Sequence, residues 1–332
     1  MSCCCEFYER KRFLWSKLSC IGFLRFHACH LNSAVNKSAI IVPAIGDQQV
    51  VDETLISVLE NRPNGTRVLV PCDVDYEDQY DLADEVDFLR CDLSRELGSS
   101  MWTKRPVIAW TSLANEALYS AQHSYVGLIL PGASMLPGSM DAITEVFESR
   151  PDIASIVPML FEPDNEDVTV GVAMSSGTRV AVMQSRQDRY EKQLVGASLM
   201  AGFYRTSALL DIGGWNTNVH TQVADIDLSM RLYEAGYEIQ QTPFSRMELN
   251  VHPDLNFDRY RLNRDSQLIH RQIRRIEGKA SRLRPLRLLG EFFANLGSGS
   301  VSGLMGRVSG AYGKLPSPTR TSQHDQLDRL AA

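Results

Sequence analysis

The sequence predicts an α/β fold: a mixed, mostly parallel sheet flanked by helices, with a helical C-terminal extension. Three observations carry this. Ala39-Ile40-Ile41-Val42-Pro43 and Arg67-Val68-Leu69-Val70 are apolar runs without alternation, as in parallel strands buried on both faces. A helical stretch from Asp52 to about Asn61 lies between them, and the Pro63-Asn64-Gly65 turn makes the return short, so the three form a βαβ unit. Strand and helix signals keep alternating downstream of it.

The folded body begins near Ser38, with the first strand running to Pro43. Asp52 is expected to cap the first helix, with Val51, Leu55, Val58 and Leu59 on its apolar side. The second strand ends at Pro71-Cys72-Asp73. Asp75, Glu77, Asp78, Asp81, Asp84, Glu85 and Asp87 read as a solvated helix face. Asp87-Phe88-Leu89-Arg90 is a short third strand, and residues 97–106 are loop-like. A helix is expected over Val107–Ala121 and a fourth strand over Ser124–Leu130. A turn over Pro131–Gly138 precedes a helix at Ser139–Ser149 and a strand at Ile153–Leu160. Val168–Met174 and Arg179–Met183 alternate as a hairpin does. A small-residue strand after Gly196 leads to a turn at Gly213-Gly214-Trp215. A polar loop follows, and Asp225-Ile226-Asp227-Leu228 opens a helix that closes at Gly236-Tyr237. The chain thus divides into an N-terminal extension (1–37), a main domain (38–255), a basic helical extension (256–315) and a disordered tail (316–332).

Composition narrows the function. Of 332 residues 44% are apolar and 22% charged, which is ordinary for a soluble globular protein. The net charge of −6 disfavours nucleic acid as a partner, because phosphate binding needs a basic face. Five of seven cysteines, Cys3, Cys4, Cys5, Cys20 and Cys29, precede residue 31. That is not a disulfide framework, and a reducing cytoplasm is expected. Cys20, His27, Cys29 and His30 fit no standard zinc spacing. No apolar run is long enough to span a membrane. The N-terminal segment reads as a disordered extension, with a peripheral membrane helix or palmitoylated cysteines as alternatives.

From Gly196 to Pro243 the chain resembles the family 2 glycosyltransferases, whose motif runs GGF, polar loop, EDxDLxxRLxxxGY. Gly213-Gly214-Trp215 stands for GGF, and Ala224-Asp225-Ile226-Asp227-Leu228 for EDxDL with the leading Glu replaced by Ala. Arg231-Leu232 and Gly236-Tyr237 keep their offsets. The order of elements over Ser38 to about His252 is similar to that family's GT-A domain. The resemblance implies a nucleotide-sugar site that includes Pro43 and Ala44 after the first strand, Asp73 after the second, and Asn115 in the helix before the fourth. It implies acceptor contacts at Gly213, Gly214 and Trp215 and a general base at Asp225. Trp215 is read equally well as a core aromatic. The family's Asp-x-Asp metal motif, which binds Mg²⁺ or Mn²⁺, is absent, because Pro131, Gly132 and Ala133 occupy that position. His252 is the one candidate left for a metal or phosphate contact. Without a metal the leaving diphosphate needs other cations, and Lys104 and Arg105 are the candidates.

The implied reaction is inverting transfer of a sugar from a nucleotide-sugar donor to a hydroxyl of a glycan, lipid-linked or protein acceptor, as in polysaccharide biosynthesis. The alternative is an inactive GT-A protein that binds or scaffolds in glycan biosynthesis. The basic segment after Asn256 either rests peripherally on the inner face of an anionic membrane or packs on the body.

Overall fold

The computed structural model describes residues 37–74, 76–91, 110–163, 168–175, 178–184, 196–250, 259–276, 278 and 301–318. Lys104, Arg105, His252 and the cysteine-rich segment lie outside the described residues.

Strand β1 (Ser38–Ile41) is buried at every position. It pairs in parallel with β2 (Arg67–Asp73) on one side and with β4 (Tyr125–Ile129) on the other. Burial on both faces explains why these strands are apolar without alternation. Helix α1 (Gln48–Asn61) crosses from β1 to β2, and β3 (Asp87–Cys91) extends the parallel group. Helix α2 (Trp110–Ser120) leads into β4. Beyond β4 come β5 (Ala133–Met135), α3 (Ser139–Ser149), β6 (Ile153–Phe161), and the antiparallel pair β7 (Val168–Ser175) and β8 (Thr178–Met183). Then follow β9 (Ala201–Arg205), α4 (Thr206–Asp211), α5 (Ala224–Glu234), β10 (Glu238–Leu249), α6 (Arg259–Ile276) and α7 (Val301–Tyr312). The ten described strands make one sheet, ordered β3-β2-β1-β4-β9-β6-β10-β5, with β7 and β8 branching from β6. Helices and a mixed, mostly parallel sheet are the α/β architecture that the sequence predicts.

Three local expectations are corrected. The cap of α1 is Asp47, whose carboxylate accepts the Gln49 N–H at 2.9 Å. Asp52 sits inside the helix and is buried. The acidic stretch forms only a 3-10 turn at Leu82–Asp84, because it has no apolar face to hold a longer helix against the sheet. The turn predicted over 131–138 contains β5, which pairs antiparallel with the far end of β10.

The basic segment packs on the body. Ile269 and Ile273 of α6 join Val223, Ile226 and Met230 around α5 and Val172 and Met174 of β7. Each such buried side chain contributes about 1.5–3 kcal/mol. Asp265 is buried among them; it accepts the His220 N–H at 2.8 Å and the Arg264 Nε–H at 2.7 Å. The predicted tail also starts too early. Pro316 and Ser317 accept hydrogen bonds from the amides of Asn216 and Asn218, both at 3.0 Å.

Candidate functional site

A parallel strand with neighbours reached by opposite crossovers opens a crevice at its carboxyl edge. Here that edge lies between β1 and its neighbours β2 and β4. Pro43 and Ala44 leave β1 there, Asp73 ends β2, and Pro131–Ala133 leave β4. The Ala44 N–H donates to the Pro71 carbonyl at 2.9 Å, which ties the first loop to β2. Asp73 is half-buried and accepts the Val74 N–H at 2.7 Å.

Two residues at this edge escaped sequence reasoning. Asp52 is 3% exposed, and one carboxylate oxygen accepts the Tyr76 hydroxyl at 2.9 Å. Its other oxygen has no protein partner. Burial pushes the Tyr76 hydroxyl well above its usual range, and the bond to Asp52 adds to that, so Tyr76 is a lasting donor. Arg90 fixes the loop that carries Tyr76. Its guanidinium donates to the carbonyls of Asp73 and Val74 at 3.3 Å, and to that of Tyr76. The available signal was an acid beside the apolar stripe of Val51, Leu55 and Val58, where a surface carboxylate has no business.

The β4–β5 turn is closed to a metal. Pro131, Gly132 and Ala133 are buried. The Gly132 N–H donates to Thr54 Oγ1 at 3.0 Å and its carbonyl accepts the Asn250 N–H at 2.8 Å. The Ser134 hydroxyl accepts from the Asn250 amide at 2.8 Å. A hard divalent ion prefers anionic oxygen ligands, and the side chains of Pro131, Gly132 and Ala133 supply none. Among the described residues no three His, Cys, Asp or Glu side chains gather where they would hold a metal ion. Pro131, Gly132 and Ala133 do not fit the group.

Gly213 and Gly214 turn the chain after α4 with φ of 81° and 68°. Asn115 of α2 clamps the turn: its amide donates to the Trp215 carbonyl at 2.7 Å and accepts the Trp215 N–H at 2.8 Å. A Cβ on Gly214 would lie 2.4 Å from Asn115 Oδ1, so only glycine fits. Asn115 thus spends its side chain on the turn, not on a nucleotide. Of the two readings of Trp215, the structure shows the core aromatic. It is 1% exposed and meets Trp110 and Tyr204 edge-on, with centroids at 6.2 and 5.6 Å. Its faces belong to the core and are closed to a sugar.

Asp225 and Asp227 stand in the first turn of α5 and, two residues apart, point to different sides. Asp225 is 2% exposed; its carboxylate accepts the Ile226 N–H at 2.8 Å and its carbonyl accepts the Ser229 hydroxyl at 2.8 Å. A Cβ on Gly196 would lie 2.2 Å from Ser229 Oγ, so the segment entering β9 runs tightly along this turn. Met200, in that same segment, accepts the Leu130 N–H at 2.8 Å. These contacts link the end of β4 to the start of α5. Tyr204 lies on the same side: burial raises its hydroxyl far above the usual range, and the Asp225 charge raises it further.

Asp227 is structural. It is fully buried and pairs with Arg231 at 2.8 Å, one turn on; Arg231 in turn donates to the Ile212 carbonyl at 2.9 Å. Burial pushes the Asp227 carboxyl up, while Arg231 pulls it down less strongly. A carboxyl raised in the fold holds its proton more tightly folded than unfolded. Its contribution to stability is therefore complete in acid and is lost as pH rises through the folded value. Asp227→Asn removes this titration. In urea unfolding between about pH 3 and 7, the stability of wild type minus that of the variant should fall as pH rises. A flat difference would refute it.

No protein-family model matches the chain, and no curated protein matches its sequence. Solved structures do resemble it. GalNAc-T7 with UDP, GalNAc and Mn²⁺ aligns at 10% identity over 67% of this chain and 45% of its own, with a TM-score of 0.47. The mannosyltransferase PcManGT of Pyrobaculum calidifontis, with GDP-Man and Mn²⁺, aligns at 14% identity over 98% of this chain and 92% of its own, with a TM-score of 0.48. TarS 1–349 of S. aureus, in complex with UDP-GlcNAc, aligns at 12% identity over 72% of this chain and 66% of its own, with a TM-score of 0.50. The chain thus spans less than half of the GalNAc-T7 chain and just under two thirds of the TarS chain. The likeness to TarS is one of fold, and the fold is GT-A-like.

Proposed function

We propose that the protein binds a nucleotide-sugar donor at the carboxyl edge of β1, β2 and β4 and transfers the sugar with inversion to an acceptor hydroxyl. The observation that carries this reading is the pairing of that crevice with a buried carboxylate, Asp225, joined to the end of β4 through Met200 and Gly196. UDP-GlcNAc is a donor to test first, because TarS 1–349 was solved in complex with it.

Each residue has a role in the reading. Pro43, Ala44 and Asp73 contact base and ribose, with Asp52 and Tyr76 behind them. Lys104 and Arg105 are the cations proposed to offset the charge of the diphosphate. The turn at Gly213-Gly214 brings backbone close to the acceptor. In the step itself, Asp225 takes the proton from the acceptor hydroxyl. The acceptor oxygen bonds to the anomeric carbon, and the bond from that carbon to the phosphate oxygen breaks, releasing the nucleoside diphosphate.

A second reading has a specific observation behind it. Pro131, Gly132 and Ala133 leave the leaving group without its usual counter-charge, which suits a GT-A protein that binds donor or glycan without turning it over. Calorimetric titration with a panel of nucleoside diphosphates, with and without Mn²⁺, tests both. The expected result is binding of at least one without Mn²⁺. No binding under either condition overturns the transferase reading, and binding only with Mn²⁺ overturns the metal-free crevice. Binding without donor turnover, over a range of acceptors, leaves the second reading alone.

A further inference from the structure

Helix α7 is turned inside out for a helix at the edge of a protein in water. Its glycine side faces inward. A Cβ on Gly306 would lie 2.2 Å from the Tyr260 carbonyl, and one on Gly310 would lie 2.3 Å from that of Arg264. The two helices therefore touch backbone to backbone, and Arg271 locks them by donating to the Gly310 and Gly313 carbonyls at 2.8 and 3.1 Å. Met305, Val308 and Tyr312 emerge roughly 130° round the helix from those glycines. They are 62%, 45% and 78% exposed. Met305, Val308 and Tyr312 thus point away from the fold, while Gly306 and Gly310 face it.

The surroundings say what covers this stripe. Helices α6 and α7 with Lys314 carry eight cations (Arg259, Arg261, Arg264, Arg271, Arg274, Arg275, Arg307 and Lys314) against one carboxylate, Asp265. That surplus of seven sits in a chain whose net charge is −6. A second copy of this chain would bring the same positive patch, and the two would repel. An anionic bilayer meets both demands, since it takes apolar side chains at the acyl boundary and cations at the headgroups. Tyr312, with an apolar ring and a polar tip, suits that boundary. No described helix is long and apolar enough to cross a membrane, so the contact is peripheral.

We infer that α7, backed by the cations of α6, is a docking face for an anionic lipid surface. The inference does not depend on sugar transfer. Co-sedimentation of the full chain with phosphatidylcholine vesicles, with and without phosphatidylglycerol, tests it. Met305→Glu/Val308→Glu and Arg274→Gln/Arg275→Gln serve as variants. Met305, Val308 and Arg275 are exposed and Arg274 is half-buried, and an unchanged thermal midpoint checks their folding. The expected result is binding that requires phosphatidylglycerol and weakens with salt. Each double variant should weaken it by about tenfold or more. No binding to either vesicle overturns the inference, as does undiminished binding by the Met305→Glu/Val308→Glu variant. A wild-type dimer that this variant splits into monomers also overturns it, because a second copy then covers the stripe.

Discussion

Replacing Asn115 by alanine lowers the free energy of unfolding by about 3–5 kcal/mol, read from urea transitions of the two proteins. The size follows from what is left behind. The Trp215 N–H and carbonyl both lose their partner, and each buried orphan costs about 1–3 kcal/mol. Both groups sit beside a tryptophan that is 1% exposed, where water does not replace the amide. The companion change Gly214→Ala is costly for two separable reasons. Its φ of 68° disfavours any side chain, by about 1–2 kcal/mol. Its Cβ would also press on Asn115 Oδ1 at 2.4 Å. Asn115→Ala removes the second reason and leaves the first. In a double-mutant cycle, Gly214→Ala should therefore be milder in the Asn115→Ala background, by about 1–2 kcal/mol. Strict additivity would show that Asn115 does not clamp this turn. The cycle also separates the clamp from a ligand role, because it is read with no nucleotide present.

That clamp shows where sequence reading stops. The parallel core was legible because burial on both faces leaves a plain mark, the unbroken apolar runs of β1, β2 and β4. The start of α5 was legible for a similar local reason: acids in a first turn and a glycine stop. Long-range polar pairing leaves no such mark. Asn115 and Trp215 are a hundred positions apart, and nothing in either neighbourhood says that one holds the other. Asp52 and Tyr76 meet across the β1–β2 crossover in the same way. Trp215 was ambiguous because a turn aromatic packs on a core or on a sugar with the same sequence around it. Only Tyr204 and Trp110, from two other elements, close its faces. Helix α7 falls within the predicted helical extension, but its bounds were not legible because glycine and serine depress helix propensity. Its glycines are there for backbone contact with α6, a tertiary reason that local propensity does not register.

Asp225→Asn should abolish sugar transfer with little loss of fold. Asparagine has the same shape and keeps an oxygen that accepts the Ile226 N–H, so the first turn of α5 stays capped. What it lacks is the capacity to take a proton. Removing a positioned general base costs about 10²- to 10⁴-fold in kcat, and the loss here should appear in kcat with donor binding unchanged. Asp227→Asn supplies the contrast. That carboxylate faces Arg231 and the Ile212 carbonyl, away from the Asp225 side, so its loss acts on the fold. Breaking a buried pair costs about 3–5 kcal/mol in stability. The two neighbouring aspartates are therefore predicted to divide the phenotypes, with Asp225 governing turnover and Asp227 governing stability. Transfer assays and urea unfolding on both variants check the division. Near-normal kcat in Asp225→Asn would remove it as the base. Low kcat in both, with both folds weakened alike, would mean that the first turn of α5 acts only as a structural unit.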